Sequence, residues 1–154
     1  MEIDAFLCDH AEVAEGKLFV NGAGINIMWA GAVQAPYPIT VSVAAVAHVP
    51  WTATNQAHQV DVRLEDEDGN VVTPWAPDGV PDQPNVELGT GFNVGRPPQM
   101  TVGDSQNVPL AFGFNVPLKK LGMYSFVISV DGTEMKRLPI RLMLMQQQPV
   151  FGAI

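Results

Sequence analysis

The chain has one cysteine, Cys8, among 154 residues, so no internal disulfide can form and an oxidising compartment gains no support. It is also poor in positive charge, with 8 Lys and Arg against 16 Asp and Glu and a formal charge of −8. Such a surface repels a polyanion unless its few cations gather at one place. The nearest groupings are Lys119 with Lys120 and Lys136 with Arg137 and Arg141, and neither is interleaved with stacking aromatics. Nucleic acid and anionic membrane surfaces are therefore not expected as partners. The start, Met1-Glu2-Ile3-Asp4, has no basic segment followed by an apolar run, which leaves a cytoplasmic location as the expectation, or a virion-associated one for a subunit assembled inside a cell.

Charge is missing altogether from one long stretch. From Leu18 through Val60 there is no Asp, Glu, Lys or Arg, although a solvated strand face ordinarily carries them. Gln34, Pro36 and Pro38 interrupt the apolar run, which argues against a membrane span. Two explanations remain: cover by a loop of the same chain, or cover by another protein. Trp29, Tyr37 and Trp51 stand in or beside this stretch as candidate partner-binding anchors. Phe151, in the apolar end Pro149 to Ile154 that follows Gln146-Gln147-Gln148, is a fourth.

The composition is 47% hydrophobic and 16% charged, enough for a substantial core in one domain. Helical spacing is absent and period-two alternation recurs. Strands are expected over Ile3 to His10, Ile39 to Val49, His58 to Leu64, Asn85 to Val94, Asn107 to Phe114, Met123 to Val130 and Met135 to Met145. Lys17 to Val20 and Ile25 to Trp29 read as a hairpin around Asn21-Gly22, whose residues suit a type I′ turn. Asp68-Gly69-Asn70 reads as a turn into Val71-Val72, and Asp131-Gly132 as a reversal before the last strand. Pro74 to Asp82 and Gly95 to Pro98 read as loops. The expectation is all-β, an antiparallel, immunoglobulin-like β-sandwich of about nine strands over residues 1–145, with 146–154 as an apolar C-terminal tail.

Leu121-Gly122-Met123-Tyr124-Ser125-Phe126 resembles a tyrosine corner, in which a tyrosine bonds back to the chain upstream. Phe126 stands where a disulfide cysteine would be, so packing alone must hold the two sheets. A wider set of motifs spans most of the chain: Phe6-Leu7-Cys8-Asp9, Gly16-Lys17-Leu18 with Gly22-Ala23-Gly24, the run from Val62 to Gly69, Gly122 to Phe126, and Val130-Asp131-Gly132. This set looks like an uncharacterised, mostly actinobacterial family known as a domain of unknown function with a predicted β-sandwich. The resemblance implies a fold and carries no catalytic residue across.

Chemistry finds little footing. Cys8 and His10 share one side of a strand, yet no oxyanion site accompanies them. His48 and His58 flank a loop and would lie across from each other in a hairpin, but two imidazoles fall short of a structural zinc site. The carboxylates of Glu65 to Asp68 before Gly69 depart from the spacing of calcium loops. No serine elbow, phosphate loop or dinucleotide fingerprint occurs, so no enzyme, cofactor or metal is expected. The function that follows is a non-catalytic sandwich acting by self-association or by binding a protein partner through residues 18–60. A structural subunit of a larger particle, such as a phage or injection machine, is the first alternative, and a small-ligand or metal-binding protein the second.

Overall fold

The computed structural model describes residues Met1 to Met145; the expected tail and Phe151 lie outside the described residues. Among these residues nine strands form two sheets. Strands β1 (Glu2–Ala14), β2 (Lys17–Ala23), β4 (Tyr37–Pro50) and β7 (Ser105–Leu118) make one sheet in the order β2-β1-β4-β7. Strands β3 (Ile27–Ala30), β5 (Ala57–Asp66), β6 (Glu87–Asn93), β8 (Gly122–Val130) and β9 (Thr133–Leu144) make the other, ordered β3-β9-β8-β5-β6. Among the described residues no helix is long and apolar enough to cross a membrane.

Alternation in the sequence translates directly into the core. Val41, Val43 and Val49 of β4, Val60, Val62 and Leu64 of β5, and Phe126 and Ile128 of β8 are all sealed from solvent between the sheets. Phe126 joins the sheets by contact: its ring meets Phe114 of β7 at 4.9 Å between centroids and 51° between planes. The Tyr124 hydroxyl donates to the Lys120 carbonyl at 2.6 Å, so the corner closes on the residues just upstream, as the motif requires.

Two turns behave alike for the same reason. In Asp131-Gly132 both residues have positive φ, 50° and 81°, and Val130 pairs with Thr133 across them, so the reversal expected there is a hairpin of type I′. Glu15-Gly16, with φ of 51° and 70°, does the same between Ala14 and Lys17. That second turn overturns the expected hairpin at Asn21-Gly22. There β2 runs on through Asn21, which pairs with His10, to Ala23, which pairs with Cys8. The positive φ of Gly22 serves close packing instead, since a Cβ there would run into the Asp9 carboxylate.

Because β2 continues, Ile27–Ala30 is free to cross to the opposite sheet. It pairs with β9, and in parallel, so the sandwich is not purely antiparallel as expected. At Asp68-Gly69-Asn70 the chain does turn, with the Asp66 carboxylate accepting from the Asp68 and Asn70 amides. The return is a single bridge from Val71 to Glu65 rather than a full strand.

The uncharged strand β4 lies in the middle of its sheet. Its odd-numbered residues face the core, and on the opposite face Ser42 and Ala44 are also buried. Cys8 and Phe6 lie beside them on β1, and Gly113 and Ala111 on β7, while the β1–β2 hairpin contacts β4 and β7 as well. The chain's own strands thus cover the centre of β4, and its lack of charge there is a consequence of burial.

Candidate interaction surface

The uncharged stretch reaches solvent at β3. Met28 and Ala30 turn toward the core, while Ile27 and Trp29 point outward; Trp29 remains 54% exposed. Parallel pairing sets Trp29 beside Met143 and Ile27 beside Arg141. Met143, Leu144 and Met145 are exposed large hydrophobics, as is Val33 in the loop that leaves β3. The Met145 amide donates to the Ala30 carbonyl at 3.3 Å and the Arg141 amide to the Asn26 carbonyl at 3.0 Å, which fastens both ends of β3 to β9.

Among the described residues β3 is an outer strand of its sheet, with no strand beside one side of its backbone. Edge strands ordinarily carry a proline or a charge that discourages pairing with another chain. β7, the edge of the other sheet, has Pro109 and Pro117, and β2 begins with Lys17. Ile27-Met28-Trp29-Ala30 has neither, and only its shortness limits it.

Of the anchors expected from the sequence, the three among the described residues, Trp29, Tyr37 and Trp51, do not form one patch. Tyr37 is half-buried against the core, its hydroxyl 3.5 Å from the Val33 carbonyl to which it donates. It opens β4, across the β3-to-β4 connection from Trp29. Trp51 follows the other end of β4, and a strand of 14 residues spans roughly 45 Å. There the Arg96 guanidinium lies 3.6 Å over the Trp51 ring and donates to the Trp51 carbonyl at 2.7 Å. Trp51 is thereby occupied within the chain. Ile27, Met143 and Met145 were missed from sequence, although a signal existed: once Leu142 and Leu144 are assigned to one face of β9, Met143 and Met145 fall on the other.

Beside this corner, the same sheet's outer surface is occupied by charge. Glu65 is buried and accepts from Arg63 Nε at 2.7 Å and from Arg137 Nη1 at 2.9 Å. Arg137 also bonds Glu134, and Arg63 donates to Ser129 Oγ at 3.3 Å. Burial opposes ionisation of Glu65, but the hydrogen bonds and charges of the two guanidiniums outweigh it and hold the carboxyl below its ordinary value. Val127, between Arg63 and Arg137 in the ladder, is wholly covered although it lies on the face away from the core cluster.

The polar candidates are engaged in structural roles. Cys8 is buried with its Sγ 3.5 Å from the Ser42 carbonyl, and burial, aided by the Asp9 charge, raises its thiol pKa away from the nucleophilic form. His10 is exposed. His48 and His58 do not face each other as a hairpin pair, since β4 and β5 belong to different sheets. The His48 ring bonds Asp4 and Asn107, each at 2.7 Å, and those bonds raise its pKa. His58 bonds Asp131 and the Ala53 carbonyl. Among the described residues no group of three His, Cys, Asp or Glu side chains is placed to hold a metal ion.

No curated protein matches the chain. Residues 3–143 match a family described as a family of unknown function (DUF6941), and with nearly the whole sandwich inside that match, the chain belongs to this family.

Proposed function

We propose that the protein acts by contact, as a non-catalytic β-sandwich that associates with a second copy of itself through the β3 corner. One observation carries the reading: Trp29 stands exposed on an edge strand with no charge or proline to guard it, flanked by Met143 and Met145. A chain of charge −8 repels its own copies over most of its surface, so an apolar corner whose charged neighbour is Arg141 rather than a carboxylate is where two copies meet at least electrostatic cost. A cytoplasmic setting accords with the single buried thiol, which needs no partner cysteine.

Size-exclusion chromatography with light scattering, run across a hundredfold range of concentration, tests this. A dimer or larger species that reverts to monomer in Trp29→Ser supports it. A strict monomer that draws a different protein from the source cell, and loses it in Trp29→Ser, moves the same surface to a heterologous partner. A monomer whose Trp29→Ser form behaves identically in both measurements refutes the proposal.

A further inference from the structure

The far end of the sandwich from Tyr37 contains a buried histidine whose two nitrogens are both committed. His58, at 9% exposure, places Nδ1 2.7 Å from Asp131 Oδ2 and Nε2 2.8 Å from the Ala53 carbonyl oxygen. A carbonyl only accepts, and an ionised carboxylate only accepts, so both contacts are hydrogen bonds only if both ring nitrogens carry protons. The arrangement therefore fits an imidazolium and mismatches either neutral tautomer.

Each partner is itself held in place. The Asp131 carboxylate accepts the Gln59 amide at 2.8 Å and caps the β8–β9 turn, where Asp131 also donates its own amide to the Gln59 carbonyl at 2.8 Å. Ala53 ends the 3-10 turn Trp51–Ala53. That turn is clamped by Thr54, whose hydroxyl donates to the Trp51 carbonyl at 2.8 Å, and by Arg96, which donates to Thr54 Oγ1 at 2.8 Å. On its remaining side the His58 ring meets Phe92 of β6 at 5.3 Å, a contact without charge. The charged groups around it are thus Asp131 from the β8–β9 turn, Arg96 on the far side of the Trp51 turn, and the Met1 amino group, whose charge opposes protonation.

We infer that His58 is a protonation-dependent latch that fastens the Trp51–Ala53 turn to the β8–β9 hairpin. Losing one proton forces a choice. The bond to Asp131 is charge-assisted and the carboxylate is fixed by Gln59, so the neutral ring keeps Nδ1–H and presents a bare Nε2 lone pair to the Ala53 carbonyl. The Trp51 turn is released from the His58 ring first, while its own bonds from Thr54 and Arg96 remain.

The hydrogen bond to Ala53, then that to Asp131, outweigh burial and raise the His58 pKa. A raised folded-state pKa gives a contribution that is complete below the unfolded value near 6.5 and disappears as pH rises through the folded one. The latch is closed in acid and opens toward alkaline pH.

NMR of the full-length, isotope-labelled protein from pH 5 to 9 tests the latch. The His58 ring is expected to titrate above about 6.5, with N–H protons seen on both nitrogens at low pH. The Trp51 indole and Ala53 backbone carbonyl are expected to shift with the same midpoint. Asp131→Asn keeps a residue tolerant of positive φ at the turn, and is expected to lower the midpoint and uncouple the Trp51 signals from it. A His58 ring that titrates at or below about 6.5, or one that titrates higher while Trp51 and Ala53 stay unmoved, overturns the proposal. The wild-type titration decides the matter even if the variant does not fold.

Discussion

Two neighbouring parts of one outer surface solve the problem of facing water in opposite ways. Across β5, β8 and β9 the surface is a lattice of charge, with Arg63 and Arg137 closing over Glu65 and Val127. At β3 and the end of β9 the same sheet presents Ile27, Trp29, Met143 and Met145. The lattice satisfies itself, since each buried carboxylate oxygen has a guanidinium donor within the chain. The corner satisfies nothing, because apolar side chains gain only when something covers them. The contrast separates the place where stability is invested from the place where contact with another protein would be rewarded.

Breaking the lattice is expected to have the largest effect on the fold. Glu65→Ala leaves two guanidiniums without their shared partner over a buried strand; discounted for the exposure of Arg137, a loss of about 2 kcal/mol in urea unfolding is expected. Breaking the corner reverses the pattern. Trp29→Ser is expected to change unfolding free energy by less than about 0.5 kcal/mol yet weaken self-association at least tenfold, or about 1.4 kcal/mol. Light scattering and urea titration on one sample would expose the contrast.

Acid sharpens it further. Because Glu65 has a depressed folded-state pKa, its contribution is present above the unfolded value and is lost as pH falls through the folded one. The stability of the wild type is therefore expected to fall on the acid side more steeply than that of Glu65→Gln, read from thermal midpoints between pH 3 and 7, while Trp29→Ser tracks the wild type. Smallest of all is the rim of the lattice: Glu134→Gln removes an exposed ion pair with Arg137 and is expected to cost less than about 0.5 kcal/mol.

Much of this molecule is legible in its amino-acid sequence. Val60, Val62 and Leu64 facing inward, Phe126 buried on β8 and the Asp131-Gly132 reversal all follow from period-two alternation and turn chemistry. Asn21-Gly22 misleads because Gly22 offers the same positive φ to a hairpin and to a close contact with Asp9, and only the position of β1 distinguishes them. Of the proposed interaction surface, Trp29 is legible as an aromatic in an uncharged stretch, but Tyr37 and Trp51 look equal to it. What separates them is an Arg96 guanidinium 45 residues away for Trp51 and core packing for Tyr37.

By itself the amino-acid sequence determined which residues alternate inward, where most chain reversals fall, and that no disulfide joins the sheets, because these depend on local backbone geometry and on a count of cysteines. Only the tertiary structure decided that β3 crosses to lie parallel to β9, that His48 and His58 stand on different sheets, and that Cys8 is sealed beside Ser42. Strand pairing is a competition among edges distant in the chain, and burial depends on who the neighbours are. Neither quantity is present in any short window of residues.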